Sequence, residues 1–125
     1  MGTTVQAFLR RDPAEVEPWR ETCGQIRPLV EEKDGAAGEV HHVEIENAKL
    51  HYHARTDEFY YVIQGRGRMV LDDETIDLSP GIVVYVPRGV RHKAIDTGTG
   101  VGEPKLTVLT VCIPRGVLSD VIEVE

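Results

Sequence analysis

His51-Tyr52-His53-Ala54-Arg55-Thr56-Asp57-Glu58-Phe59-Tyr60-Tyr61-Val62-Ile63-Gln64-Gly65 is the stretch of this chain that carries most of its information. On a strand, side chains alternate between faces, so His51 and His53 point one way and Leu50 and Tyr52 the other. Ala54 to Asp57 reads as a turn, and a second strand opens with Glu58. A hairpin returning beside the first strand would set the Glu58 carboxylate next to both imidazoles. His92 opens a later strand, after Val86-Pro87-Arg88-Gly89-Val90-Arg91. If the fold carries that strand back across the same interior, three imidazoles and one carboxylate converge. Three neutral nitrogens and one oxygen leave open positions on an octahedral divalent ion, a set suited to Mn, Fe, Co, Ni or Zn.

Outward from this stretch, short runs rich in Val, Ile, Tyr and Thr repeat from Gly38 onward. They are Glu39–Glu46, Lys49–Ala54, Glu58–Gln64, Gly67–Leu71, Thr75–Leu78, Ile82–Val86, His92–Asp96 and Leu106–Ile113. Gly, Pro or Asp closes each, the pattern of a sandwich or barrel. Asp72-Asp73-Glu74 reads as a tight hairpin turn, with Asp tolerated at positive φ. Gly65 and Gly67 bracket Arg66 at a strand bend where a side chain would clash or φ must be positive. Thr97 to Pro104 is a loop with no strand-turn-helix context for a phosphate cradle. The expected fold is all-β, a small antiparallel barrel formed by residues 38–125. Residues 1–37 are an N-terminal arm packing on the barrel or on a partner.

The full spacing is HxHx₄Ex₆G followed by Gx₅PxGx₂Hx₃D, the second half running from Gly81 through Pro87, Gly89 and His92 to Asp96. These two segments resemble the first and second motifs of the cupin superfamily, in particular its small single-domain microbial members. The resemblance covers about residues 38 to 113. It implies a jelly-roll barrel (a double-stranded β-helix) with a divalent transition metal ion inside its wider end, held by His51, His53, Glu58 and His92. Ile45 stands where the family usually has Gly, and Asp96 where it usually has Asn; neither is a ligand position.

The chain has 125 residues and a net charge of −7, which suits one domain and argues against nucleic acid as a partner. No apolar run approaches the roughly 18 residues of a membrane span. The start, Met1 to Arg10, lacks the pattern of a secretory signal, so a cytoplasmic setting is expected. Cys23 and Cys112 are far apart and read as buried thiols. In the arm, Asp12 is positioned to cap a short helix with Pro13 at its first position, and Trp19 reads as a packing anchor. Residues 26–31 read as a short strand or irregular arm. An arm of this kind pairing with a second barrel's edge implies a homodimer.

Alternation adds further candidates. Tyr60 shares parity with Glu58 and is a candidate proton relay beside the ion. Ala94 shares parity with His92, and Met69 is a candidate inward wall. Arg66, Arg68 and Lys49 are candidates to reach a substrate carboxylate or phosphate at the rim. His41 and His42 face opposite ways, cannot chelate together, and are read as surface residues or partners of ligands. The expected function is a metal-dependent enzyme on a small polar metabolite; the resemblance implies oxygenation, isomerisation or decarboxylation, with dioxygenase-like chemistry preferred. The alternatives are a non-catalytic protein that holds a small sugar or acid through its ion, and an ion that serves stability alone.

Overall fold

The structure, a computed structural model, describes residues 8–21, 23–98 and 100–124. Alternation of buried and outward residues along short strands builds two facing antiparallel sheets. The strands are β1 (Trp19–Glu21), β2 (Gly24–Val30), β3 (Glu39–Ile45), β4 (His51–Tyr52), β5 (Asp57–Gln64) and β6 (Gly67–Leu71). They continue with β7 (Glu74–Leu78), β8 (Val83–Val86), β9 (His92–Asp96), β10 (Thr107–Ile113) and β11 (Ile122–Glu123). One sheet has the order β1-β2-β3-β10-β5-β8, the other β11-β4-β9-β6-β7. From β3 onward the chain crosses repeatedly between them, which is the jelly-roll topology.

The tight turns form where the residues demand them. Asp72 takes φ 54° in the two-residue loop joining β6 to β7. Gly65 has φ 85°, and a Cβ there would lie 2.6 Å from Leu106 Cα. Gly67 admits no side chain either, since its Cβ would lie 2.2 Å from the Ile95 carbonyl oxygen. Asp96 accepts hydrogen bonds from the Gly98 and Leu106 N–H groups, so an acid serves at the end of the second motif. Ile45 is buried at the end of β3, and its N–H donates to Leu106 O at 2.9 Å.

The arm lies on its own barrel. Asp12 accepts from Ala14 N–H and caps a single 3-10 turn, Pro13–Glu15. β2 then pairs with β3 of the same chain, from Gly24↔Ile45 to Val30↔Val40, so the segment is a strand of the sheet with a shift of register between Pro28 and Val30. Trp19, on β1, packs against the core. Residues 1–7 lie outside the described residues, as does Thr99 in the loop after β9. β11 pairs with β4, so part of the C-terminal tail is an added edge strand. Among the described residues no helix is long and apolar enough to cross a membrane.

Inward residues of β3, β10 and β5 line up in layers. Val43, Val108 and Val62 form one, with Leu106 and Ile45 beyond it. Each such buried aliphatic side chain is worth about 1.5–3 kcal/mol. The next layer is His41, Thr110 and Tyr60, and the last is Glu39, Cys112 and Glu58. One end of the barrel is therefore apolar and closed, whereas the other carries buried polar groups.

Candidate metal centre

His51 lies on β4, His53 immediately beyond it, Glu58 on β5 and His92 at the start of β9. All four are buried, none more than 5% exposed, and their ligand atoms lie within 4.8 Å of one another. The convergence does not use the expected hairpin. β4 and β5 belong to opposite sheets, because the loop between them crosses the barrel; Glu58 therefore reaches the imidazoles across the interior. His51 meets His92 within its own sheet, as direct partners of the β4–β9 ladder.

The backbone sets the orientation of all three rings. The Nδ1 atoms of His51, His53 and His92 each lie 2.8 Å from a carbonyl oxygen, of Lys49, Asp120 and Val90 respectively. A carbonyl only accepts, so each Nδ1 carries a proton, and a ring that holds no second proton turns an Nε2 lone pair inward. Glu58 Oε1 sits 2.8 Å from His53 Nε2 and 3.0 Å from His92 Nε2. His53 Nε2 is nevertheless left without a hydrogen-bond partner, because the approach is out of line. Lone pairs and a carboxylate crowded this closely repel unless positive charge sits among them. The donor set and the orphaned nitrogen thus fit a divalent cation.

Burial raises the Glu58 pKa, but His53 and His92 outweigh it and hold the carboxyl well below its ordinary range. Burial, with His92 and His53 nearby, holds His51 neutral, its pKa lowered to about 4. Burial also lowers His53, yet Glu58 more than offsets it and the net shift is upward. Glu58 Oε2 accepts the Cys112 thiol at 3.3 Å, and burial together with Glu58 pushes that thiol's pKa up. The Tyr60 ring stands edge-on to His92 with centroids 5.9 Å apart. Burial, then Glu58, raises its phenol pKa well above the ordinary value.

Several neighbours were not legible in the sequence. Asp120, in the C-terminal tail, accepts from Ala54 N–H, Arg55 N–H and the Thr56 hydroxyl. Its own carbonyl orients His53. These N–H and O–H groups hold its carboxyl below the usual range despite burial. Cys112 is more than a packing thiol, since it donates to Glu58. His41 is not at the surface; it is 3% exposed and faces the barrel interior, whereas His42 faces outward. The available signal was parity, since Glu39 and His41 alternate in step with Val43 and Ile45. Met69 and Ala94 are buried as expected. Arg66, Arg68 and Lys49 are exposed and none reaches the centre; Arg68 pairs with Asp77 and Lys49 with Glu123.

The centre opens into a cavity of about 40 Å³, room for an ion and one or two waters. His51, His53, Glu58, Tyr60 and His41 line it with Ile26, Val43, Val117, Leu118 and Val121; no Lys or Arg does so among the described residues.

The pattern that defines the family described as "Cupin domain" matches residues 37–104, more than half of the chain and all four cluster residues. The chain is a cupin. This cupin is 44% identical over 63 residues to a glucose-6-phosphate isomerase of Thermococcus gammatolerans, matching 45% of the chain and 32% of that enzyme. It is 33% identical over 92 residues to polyketide synthase CurC of Streptomyces cyaneus, matching 70% of the chain and 60% of that protein. The cupin chain thus spans about a third of the isomerase it matches. In fold, it is similar to a crystal structure of a protein from Planctomyces limnophilus, with TM-score 0.83 and 20% identity over 95% of this chain and 99% of that one.

Proposed function

We propose that this cupin is a metal-dependent enzyme that moves protons on a small metabolite with little charge, bound through oxygen atoms beside His51, His53, Glu58 and His92. The observation that carries this reading is the set of three imidazoles, each fixed by its Nδ1, turning Nε2 toward one carboxylate beside a cavity whose lining includes Ile26, Val43, Val117, Leu118 and Val121 and no Lys or Arg among the described residues. A divalent ion held there polarises a bound carbonyl or hydroxyl oxygen. Tyr60 keeps its proton at Oη and is placed to pass it to substrate. The aliphatic residues keep bulk water away from the reacting atoms. Isomerisation, cyclisation and decarboxylation need no outside oxidant, and we place them ahead of dioxygenase-like chemistry. The matched isomerases act by name on glucose 6-phosphate; without a Lys or Arg in the lining, a phosphorylated sugar is not the substrate we propose.

Elemental analysis of protein purified without added metal tests the reading. It is expected to return Mn, Fe, Co, Ni or Zn, with a higher melting temperature when that ion is restored. A metabolite screen is then expected to find turnover that His51→Ala and Glu58→Ala abolish while the fold survives. A chain that takes up none of these ions overturns the reading. The small cavity favours a second reading, a non-catalytic protein that retains a small ligand. Ligand bound without product separates it from an enzyme.

Two further parts belong to this proposal. A cytoplasmic setting accords with Cys23 and Cys112 not being joined in a disulfide. A homodimer would form on the outer face of β5 and β8, where Phe59, Tyr61, Ile63, Val83 and Tyr85 are exposed. Light scattering that gives a monomer removes the dimer without touching the metal centre.

A further inference from the structure

His41 and Glu39 are buried, yet the metal cluster uses neither. Glu39 Oε1 lies 2.9 Å from His41 Nε2. The other oxygen of Glu39 accepts from the Gly116 and Val117 N–H groups, at 2.5 and 3.0 Å. A carboxylate accepts only, so His41 donates from Nε2, and in the neutral ring its Nδ1 holds a lone pair. That Nδ1 is buried without a hydrogen-bond partner, and the side chain lines the same cavity as the cluster. A buried polar atom left unpaired is costly and rare, so its retention calls for a partner that arrives.

Strand register shows what stands opposite. Thr110 pairs with His41 on one side and Tyr60 on the other. Strands are about 4.8 Å apart, so the His41 and Tyr60 backbones are roughly 10 Å apart with only a small Thr side chain between them. All three side chains line the cavity at the cluster, so His41 faces what is held there.

We propose that His41, oriented by Glu39, is a general base of this cavity that removes a proton from a carbon next to a carbonyl of the bound substrate. The C–H bond breaks, an N–H bond forms on Nδ1, and the electron pair stays on the substrate as an enediolate. The imidazolium lies against the Glu39 carboxylate. With a hydroxyl on the deprotonated carbon, return of the first proton to the neighbouring carbon and passage of the hydroxyl proton to the former carbonyl oxygen complete an isomerisation in which nothing is oxidised or reduced overall. This inference rests on the cavity being the substrate site; Glu39 is a positioning residue, and it also anchors the start of the C-terminal segment.

Two measurements on the full chain test the base, and the first needs no substrate. Long-range nitrogen NMR of labelled protein is expected to find the His41 proton on Nε2 and a bare Nδ1. Glu39→Gln, whose amide can turn either an acceptor or a donor to the ring, is expected to return it to a mixture of tautomers. A proton on Nδ1 in the wild type overturns the proposal whatever the metal content. For the second, zinc-loaded protein is incubated with dihydroxyacetone, an uncharged hydroxyketone, in D₂O. Loss of its C–H signal is expected, and slower by about 100-fold or more in His41→Gln, which keeps a donor for Glu39 but has no base. Equal exchange in the variant, or none in the wild type, overturns it. A chain that takes up no zinc defeats the metal reading instead, and the tautomer result then judges His41 alone.

Discussion

His51 and His92 stand opposite each other in the β4–β9 ladder, their ring centroids 4.3 Å apart and their planes tilted by 54°. Each ring is tied to the carbonyl two residues before it, Lys49 for one and Val90 for the other. The same local device thus aims both Nε2 atoms at one point. Substituting either with Ala removes a donor without touching the other ring's support. Metal affinity measured by chelator competition is expected to fall at least about tenfold in each variant, with far-ultraviolet circular dichroism unchanged.

Asp120 acts on the centre from the far end of the chain. Its carboxylate gathers three donors from the loop between His53 and Glu58, and its carbonyl fixes His53. Asp120→Ala leaves those donors without their partner, expected to cost roughly 2–4 kcal/mol in urea denaturation. Metal affinity is expected to drop by about 10- to 100-fold although no ligand changes.

Cys112 offers a chemical readout of the same site. Its thiol is 1% exposed and donates to Glu58, and both conditions keep it protonated. Iodoacetamide is expected to leave Cys112 unmodified in the native protein and to label it on unfolding, read by peptide mass spectrometry. Cys112→Ser preserves a donor to Glu58 and is expected to hold metal better than Cys112→Val.

Acid stability has a clear contributor in the arm. Arg11 forms a two-pronged pair with Asp34, at 2.6 and 2.8 Å, and also donates to the Leu29 carbonyl. The guanidinium, with the Glu31 N–H, outweighs burial and lowers the Asp34 pKa from 3.8 to about 2. A depressed carboxylate pKa stabilises the fold fully above its unfolded value, and the contribution fades as pH falls from about 4 through about 2. Arg11 is partly exposed, so Asp34→Asn is expected to cost at most about 1 kcal/mol at pH 7. Chemical denaturation of wild type and variant should converge near pH 2; a constant gap would assign the effect to something other than charge.

Gly67 tests how tightly the sheets are joined. A methyl group there meets the Ile95 carbonyl of the neighbouring strand and the Leu106 side chain. Gly67→Ala is expected to destabilise by at least about 2 kcal/mol, read as a lower urea midpoint. Gly81, whose Cβ would meet nothing, has φ 94° and is expected to suffer from backbone strain alone.

The strands were legible because their cause is local. Val43, Ile45, Tyr60, Val62 and Met69 alternate with outward residues along each run, and Gly65 and the Asp72 turn mark where runs end. Parity paired His51 with His53, and the resemblance of the two segments to cupin motifs joined Glu58 and His92 to them. What misled was distance along the chain. A short turn before Glu58 suggested a hairpin, whereas the loop crosses to the other sheet. Of the two places open to the arm, its own barrel or a partner's, β2 lies on its own, sheet-bonded to β3.

The chain's own residues thus determined an all-β barrel and the shared face of His51 and His53, because side-chain alternation and turn chemistry depend on neighbours in the chain. Only the tertiary structure decided that Asp120 supports His53, that Cys112 touches Glu58, and that Glu39 and His41 occupy the same cavity as the cluster. Those pairings depend on which strands become neighbours across the interior. That is settled by burying the shared apolar layer of Val43, Val62 and Val108, a collective condition that no single segment encodes.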